Sequence, residues 1–166
     1  MSKSTKSNVA LTLILSFVLL LALPHSSQAQ MNQPQLQPAT TLSPSALVQP
    51  AELAQMLRSG KNNPLILNVG PRMLFVQAHI PGAEFIGAGS DPDTIARLKT
   101  RVASLPKKSA IVLYCGCCPW DRCPNVAPVF FALQKLGFTN VKVLYIADNV
   151  GADWVYKGYP TTSGNQ

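Results

Sequence analysis

The segment that most constrains the fold is an unbroken apolar run, Ala110-Ile-Val-Leu-Tyr114. A strand that is apolar at every position is typical of a parallel sheet covered on both faces, since neither face then meets water. Helical patterns flank the run. Before it, apolar residues recur at spacings of three and four between the capping residue Asp91 and Pro106, and after it a second pattern extends from about Asn125 to Leu136. The run therefore predicts the central strand of an α/β fold.

The same alternation continues on both sides of this centre. The sequence predicts a helix that begins at Pro50 and is capped by Gly60, a buried strand over 64–69 and another strand over 141–146. Strand and helix signals that alternate along a chain favour a central parallel sheet with helices on both faces. Ligands in such sheets bind beyond the carboxyl ends of the strands. The residues that follow Tyr114 are therefore the first candidates for a functional site.

All four cysteines of the chain lie in the nine-residue loop that follows this strand, Cys115-Gly-Cys-Cys-Pro-Trp-Asp-Arg-Cys123. A thiol between the end of a parallel strand and the N-terminus of the next helix experiences a positive field from loop amides and the helix dipole, which favours the reactive thiolate. We therefore expect Cys115 to be the nucleophile and Cys118 to be a resolving thiol. The residues expected to contact substrate are Gly116, Cys117, Trp120 and Arg122.

The loop admits three other interpretations. In an oxidising compartment its thiols form disulfides, and pairing Cys118 with Cys123 or with Cys115 avoids the strain of bridging the adjacent Cys117 and Cys118. Thiolates also bind copper(I) or zinc, but a tetrahedral site usually takes its ligand pairs from separate segments, so no metal and no other cofactor are predicted. Cys115 can also be an inert thiol at the end of a buried strand.

The first 29 residues have the pattern of a signal peptide. Lys3 and Lys6 precede a fifteen-residue apolar run, Val9–Leu23, and Ser27-Gln-Ala29 offers small residues for cleavage. The run is shorter than the roughly 20 residues that a membrane-spanning helix needs, although an uncleaved anchor is the alternative. Cleavage predicts a periplasmic or secreted protein with no stable membrane insertion, and it lowers the formal net charge from +7 to +5. A charge of that size, without a basic stripe, does not indicate a nucleic-acid partner.

The mature chain is predicted to hold one domain. Residues 30–46 are rich in Gln, Pro, Ser and Thr and are expected to form a disordered tether, because they cannot bury enough apolar area to offset the entropy of ordering. Residues 47–161 are expected to form the domain, and the polar residues 162–166 a flexible tail. His79 is the one histidine that cleavage leaves, and we expect it to satisfy hydrogen bonds within the fold rather than to act as a base.

Several motifs resemble the rhodanese-like domain family. Ala78-His-Ile-Pro-Gly-Ala83 resembles the family's signature hexapeptide, which begins with glycine. The strand that ends in Tyr114-Cys115 resembles the one that carries the family's catalytic cysteine, and Trp154 with Gly158-Tyr-Pro160 is similar to the family's C-terminal third. The resemblance spans about residues 48–161 and implies the family's three-layer α/β fold, a parallel sheet of about five strands between helices.

The resemblance also implies an activity, sulfur transfer. In that reaction Cys115 takes sulfane sulfur from a small anionic donor, carries it as a persulfide and passes it to a thiol or a cyanide-like acceptor. The chain departs from the family at Asn68 and Gly70, where aspartate and arginine are usual, and its cysteine loop is longer. Two alternatives remain: a thiol–disulfide redox protein that cycles Cys115 and Cys118 with a partner protein, or a non-catalytic binding module whose loop is locked by disulfides.

Overall fold

The protein is described by a computed structural model that covers residues 38–61 and 63–165. Its strands and helices alternate along the chain. In order they are β1 (Leu47–Val48), α1 (Pro50–Ser59), β2 (Leu65–Asn68), α2 (Arg72–Gln77), β3 (Ala83–Phe85), α3 (Pro92–Val102), β4 (Ile111–Tyr114), α4 (Val126–Lys135) and β5 (Val141–Leu144). Three short 3-10 turns, Ala39–Thr41, Pro44–Ala46 and Trp120–Arg122, and one π-helical turn, Gly151–Val155, connect or flank them.

The five strands form one sheet in the order β1-β5-β4-β2-β3, and every neighbouring pair is parallel. Strand β4 lies at the centre. Its Ile111 pairs with Leu65 of β2 on one side and with Val141 of β5 on the other. The predicted α/β fold with a five-stranded parallel sheet between helices is confirmed.

Alternate residues of β4 face opposite halves of the core. Ile111 and Leu113 pack with the residues of α3 and α4, whereas Val112 and Tyr114 pack with those of α1, α2 and the π-helical turn. All four are at most 4% exposed. A strand buried on both faces needs apolar residues at every position, which is what the unbroken run supplies. Cys115 continues the alternation and joins the half of the core that contains α4.

The residues predicted to begin or end helices α1 and α3 lie at or near the ends of those helices. The Asp91 carboxylate accepts a hydrogen bond of 2.9 Å from the backbone N–H of Asp93, which caps α3. Pro50 is the first residue of α1, and Gly60 ends that helix. Helix α3 ends at Val102, before the predicted stop at Pro106.

Part of the segment predicted to be a disordered tether is packed against the core. From residue 38 onward the chain forms two 3-10 turns, and the side chains of Ala39 and Leu42 are buried beside α4 and its neighbours. Their apolar area offsets the ordering cost of a segment that is otherwise polar. The signal peptide prediction (1–29) and the rest of the tether (30–37) lie outside the described residues. Over residues 38–61 and 63–165, no helix has the length and apolar character needed to span a bilayer.

The C-terminal tail, predicted to be flexible over 162–166, is paired with the chain before β3. Thr162 and His79 exchange two backbone hydrogen bonds of 2.8 and 2.9 Å, and the Gly164 N–H donates to the Val76 carbonyl at 2.9 Å. The prediction of a flexible tail considered only side-chain polarity and not these backbone contacts. The tail is held by backbone groups, which need partners near a buried segment whatever the side chains are.

Deletion of residues 162–166 should destabilise the domain. It removes three backbone hydrogen bonds, each contributing about 0.5–1.5 kcal/mol, so we expect the free energy of unfolding to fall by roughly 1.5–4.5 kcal/mol in urea denaturation. Deletion of residues 165–166 alone keeps all three bonds and is the matched control. Equal stability of the two truncated proteins would show that the tail pairing contributes nothing.

Candidate active site

Cys115 lies directly after the central strand, at the carboxyl edge of the sheet. Its side chain faces α4, and the residue is 3% exposed. Gly70, the second residue after β2, lies beside it. A β-carbon on Gly70 would lie 2.6 Å from the Cys115 carbonyl oxygen and 3.3 Å from its sulfur. The glycine that stands where the family resemblance expects arginine therefore leaves the space that the end of β4 and the Cys115 thiol fill.

The four cysteine sulfurs of the loop form one cluster, referred to below as the thiol cluster. Cys117 Sγ lies 3.1 Å from Cys115 Sγ and 3.1 Å from Cys118 Sγ. The Cys123 thiol lies beside the other three and shifts the pKa values of Cys115 and Cys118. All four are free thiols in this structure. Cys115 and Cys123 are buried, and Cys117 and Cys118 form the partly exposed side of the cluster.

The loop holds its shape by contact with the segment after β5. Gly116 has a positive φ of 74°, and a β-carbon there would lie 2.6 Å from the β-carbon of Val150. The Gly116 carbonyl accepts a 3.0 Å hydrogen bond from the Val150 N–H, and the Trp120 N–H donates to Ala147 at 2.9 Å. The close approach at Gly116, expected toward a substrate, is in this structure an approach to Val150.

Asn125 is a site residue that the sequence did not reveal. Its side-chain oxygen accepts a 3.0 Å hydrogen bond from the Ser90 N–H. This bond fixes the orientation of the amide, so the nitrogen faces the thiol cluster and donates to Cys115 Sγ at 3.2 Å and to Cys117 Sγ at 3.6 Å. The sequence predicted the position only as the start of α4, and the side chain makes no capping bond there. The available signal was an Asn placed between the last cysteine and a helix.

The hydrogen bonds within the thiol cluster separate the pKa values of its members. Cys115 donates to Cys117 and Cys123 and is buried, and both effects raise its pKa. Donation from the Cys115 and Cys117 thiols, together with the backbone N–H of Asn125, lowers the pKa of Cys123 to about 4. Burial, followed by the contact with Cys117, raises the pKa of Cys118 to about 11.

The expectation that Cys115 is the nucleophile stays a prediction, although the pKa directions within the cluster favour an anion at Cys123 in the resting arrangement. Neighbouring thiols cannot all ionise, because like charges a few ångströms apart repel. The directions of the pKa shifts favour the first ionisation at Cys123 and the protonated form at Cys115.

The other predicted substrate contacts lie around the rim of the cluster. The Arg122 side chain is 75% exposed, and its Nε is 3.9 Å from Asp121 Oδ1, so its charge is partly compensated and largely in water. The Trp120 ring packs on Tyr145 with ring centroids 5.3 Å apart. Tyr145 in turn lines a cavity of about 250 Å³ whose lining residues include none of the four cysteines. That cavity is separate from the thiol cluster.

The sulfur next to Cys115 belongs to Cys117 rather than to the predicted resolving residue Cys118. Cys118 Sγ donates to the Arg122 carbonyl at 3.8 Å and contacts Cys117 and Cys123. The predicted Cys118–Cys123 disulfide stays a prediction, since these two thiols are neighbours and both are free here.

Two further side chains were candidates for chemistry. His79 is 1% exposed, its Nδ1 is 2.7 Å from the Phe75 carbonyl oxygen, and its ring stacks on that of Phe75 at 3.9 Å. Its buried Nε2 has no hydrogen-bond partner among the described residues, so the expected hydrogen bonding is present at Nδ1 alone. Among the residues the structure describes, no group of three or more potential ligands is arranged to hold a metal. Sulfurs 3.1 Å apart are closer than the roughly 3.8 Å that a tetrahedral site with 2.3 Å zinc–sulfur bonds needs.

The chain is similar to a known family and to solved structures of the same fold. The family model of the rhodanese-like domain matches residues 49–145. The BH2092 protein of Bacillus halodurans has a TM-score of 0.56 and 21% identity over 72% of this chain and 77% of that protein. The rhodanese-like domain of Alr3790 from Anabaena sp. has a TM-score of 0.51 and 24% identity, and the match covers 71% of this chain and 79% of that domain's chain.

A third structure is that of EanB, determined as a cysteine persulfide with ergothioneine. It has a TM-score of 0.53 and 19% identity, and the match covers 70% of this chain and 28% of EanB. No curated protein sequence matches the chain. At these identities the solved structures show a shared fold.

Replacing Gly116 by alanine should cost more stability than replacing Gly82. Both glycines have nearly the same positive φ, 74° and 75°, so each alanine pays about 1–2 kcal/mol for the left-handed conformation. At Gly82 a β-carbon meets no atom within 4 Å, whereas at Gly116 it collides with Val150. We expect Gly116→Ala to lose about 1–3 kcal/mol more in urea denaturation. Equal losses would mean that the loop does not depend on the Val150 contact.

The fully reduced protein should contain one thiolate per chain at neutral pH. Ultraviolet absorbance of the thiolate should titrate with an apparent pKa of about 4, because the donors around Cys123 stabilise its anion. In Cys123→Ser this transition should disappear, whereas Asp121→Asn, a change in the same loop, should retain it. A wild-type protein without thiolate absorbance below pH 7 would contradict the assignment.

Proposed function

Since the chain belongs to the rhodanese-like domain family, we propose that it is a sulfurtransferase that carries sulfane sulfur as a persulfide on Cys115. The donor is a small anionic sulfur compound, and the acceptor is a thiol or a cyanide-like nucleophile. The observation that carries the proposal is the position of Cys115, directly after the central strand, with its sulfur held by Asn125 inside the thiol cluster.

The thiol cluster supplies the proton transfer that the reaction needs. Cys115 and Cys123 lie close enough to influence each other's pKa, so transfer of the Cys115 proton to Cys123 makes Cys115 the thiolate without exposing either residue to water. The Cys115 thiolate then attacks the sulfane sulfur of a donor such as thiosulfate. The new sulfur–sulfur bond forms as the donor's own breaks, and sulfite leaves with the bonding electrons. The Asn125 amide donates to the inner sulfur throughout.

The second half-reaction returns the site to its starting state. The acceptor attacks the outer sulfur of the persulfide, and the Cys115 thiolate is the leaving group. Because Cys115 is 3% exposed, donor and acceptor reach it from the side of the partly exposed Cys117, whose side chain turns aside. EanB supports this proposal to the extent that a related fold accommodates a cysteine persulfide.

The proposal extends to the cell compartment and to a partner. A sulfurtransferase with a cleaved signal at 1–29 would act in the periplasm or outside the cell. Its thiols would then need a redox partner protein to keep them reduced, because that environment oxidises free cysteines.

A thiol–disulfide redox protein on the same fold is the second candidate. The observation that favours it is the spacing of free thiols, two successive sulfur contacts of 3.1 Å. The pair next to each other is Cys115 and Cys117, rather than Cys115 and Cys118. A loop reduction potential below about −300 mV would indicate a disulfide that locks the loop, and a higher value a working redox couple.

Replacing Cys115 by serine should reduce thiocyanate formation from thiosulfate and cyanide to the level without protein, because serine cannot form the persulfide. The assay is run on the fully reduced protein, and mass spectrometry of the cysteine peptide should find one added sulfur atom on Cys115 after thiosulfate alone. Asp121→Asn is the control and should retain activity. A reduced wild-type protein no more active than Cys115→Ser would refute the sulfurtransferase proposal.

A further inference from the structure

We propose that Cys117 resolves the persulfide on Cys115, so that the site expels the bound sulfur as sulfide and closes a Cys115–Cys117 disulfide. This inference rests on the proposed function, since it needs a persulfide on Cys115. It adds a second outcome for that persulfide, reductive release, which requires no acceptor from solution.

The distance between the two sulfurs supports this step. Cys117 Sγ is 3.1 Å from Cys115 Sγ, within the separation of about 3–3.5 Å from which bound groups react. Asn125 Nδ2 donates to both sulfurs, at 3.2 and 3.6 Å, and therefore keeps them on the same side of α4. Since the Ser90 N–H fixes the amide from behind, this arrangement exists before sulfur is bound.

The other two cysteines are less suited to the role. Cys118 Sγ contacts Cys117, Cys123 and the Arg122 carbonyl, so a bond to Cys115 would require the loop to rearrange. Cys123 contacts Cys115 but is buried like it, and a disulfide between them would be shielded from any reductant. Cys117 is both adjacent to Cys115 and partly exposed.

Cys123 is placed to act as the base for this step. The Cys117 thiol is one of the groups that lower the pKa of Cys123, so the two side chains lie close together. Transfer of the Cys117 proton to Cys123 would leave a thiolate directly beside the persulfide. Disulfide exchange requires the attacking sulfur to be ionised, so the contact with Cys123 prepares the nucleophile.

The reaction balances within the loop. The Cys117 thiolate attacks the inner sulfur of the Cys115 persulfide, a bond forms between the two Sγ atoms, and the bond to the outer sulfur breaks. The outer sulfur leaves with the electron pair and takes up a proton to become hydrosulfide. It is reduced from sulfane sulfur to sulfide, and the two cysteine sulfurs are oxidised to a disulfide. A further cycle requires a dithiol reductant, which restores both thiols by disulfide exchange.

The test uses the full chain in a single turnover. Reduced protein is freed of reductant without oxygen, loaded with thiosulfate and desalted, and its persulfide is measured by mass spectrometry. Sulfide release is then followed without any thiol or cyanide, and the disulfides are mapped. The wild-type protein should release about one sulfide per measured persulfide and gain a Cys115–Cys117 disulfide.

The variant that tests the role is Cys117→Ser. Its sulfide release, divided by the persulfide measured in the same sample, should fall at least tenfold, and the persulfide should persist on Cys115. Asp121→Asn is the control and should match the wild type. Undiminished release from Cys117→Ser, or a mapped Cys115–Cys118 or Cys115–Cys123 disulfide in the wild type, would overturn the inference. A wild-type protein that gains no persulfide would overturn the proposed function together with it.

Discussion

Strand β4 pairs with β2 on one side and β5 on the other, and its alternating side chains fill both halves of the core. This double burial determines where the chemistry lies. Side chains two residues apart on a strand face the same side, so Cys115 faces α4 as Leu113 does. The Cys115 thiol thus lies between the sheet edge and the start of that helix. The thiol is therefore positioned by the central, fully buried strand, while the other three sulfurs come to it on a loop.

The loop reaches that position through contacts at which a side chain would not fit. A β-carbon on Gly89 would lie 1.8 Å from the Asn125 carbonyl oxygen, and one on Gly70 would lie 2.6 Å from that of Cys115. The backbone of Asn125 is thus pressed against the segment after β3, beside the Ser90 N–H that orients its amide. Close backbone packing at Gly70 and Gly89, together with the hydrogen bond from Ser90, therefore positions the Asn125 amide. This amide donates to the sulfurs of both Cys115 and Cys117.

The sequence predicted the strands and helices that are long enough to show an apolar period, and it missed the features that depend on tertiary contacts. The strand at Ile111–Tyr114 and the helices α3 and α4 show their apolar period, and a parallel sheet followed from their alternation, whereas the number of five strands was implied only by the family resemblance. Strands β1 and β3 have two and three residues, too few for a period to appear. An ionised Cys115 was predicted from the helix dipole, but the neighbouring sulfurs also shift its pKa, and their positions exist only in the folded loop.

The departures at Asn68 and Gly70 and the long cysteine loop are parts of one arrangement. Asn68 accepts a 3.1 Å hydrogen bond from the Gly70 N–H and so shapes the turn that makes room for Cys115. With Gly70 at that position, the partners of the Cys115 sulfur are an amide and other thiols, all of them neutral donors or proton carriers. A fixed cation would hold one sulfur ionised. Groups that exchange protons let the charge move from Cys123 to Cys115 or to Cys117, which is what a site needs if it both accepts sulfur and expels it.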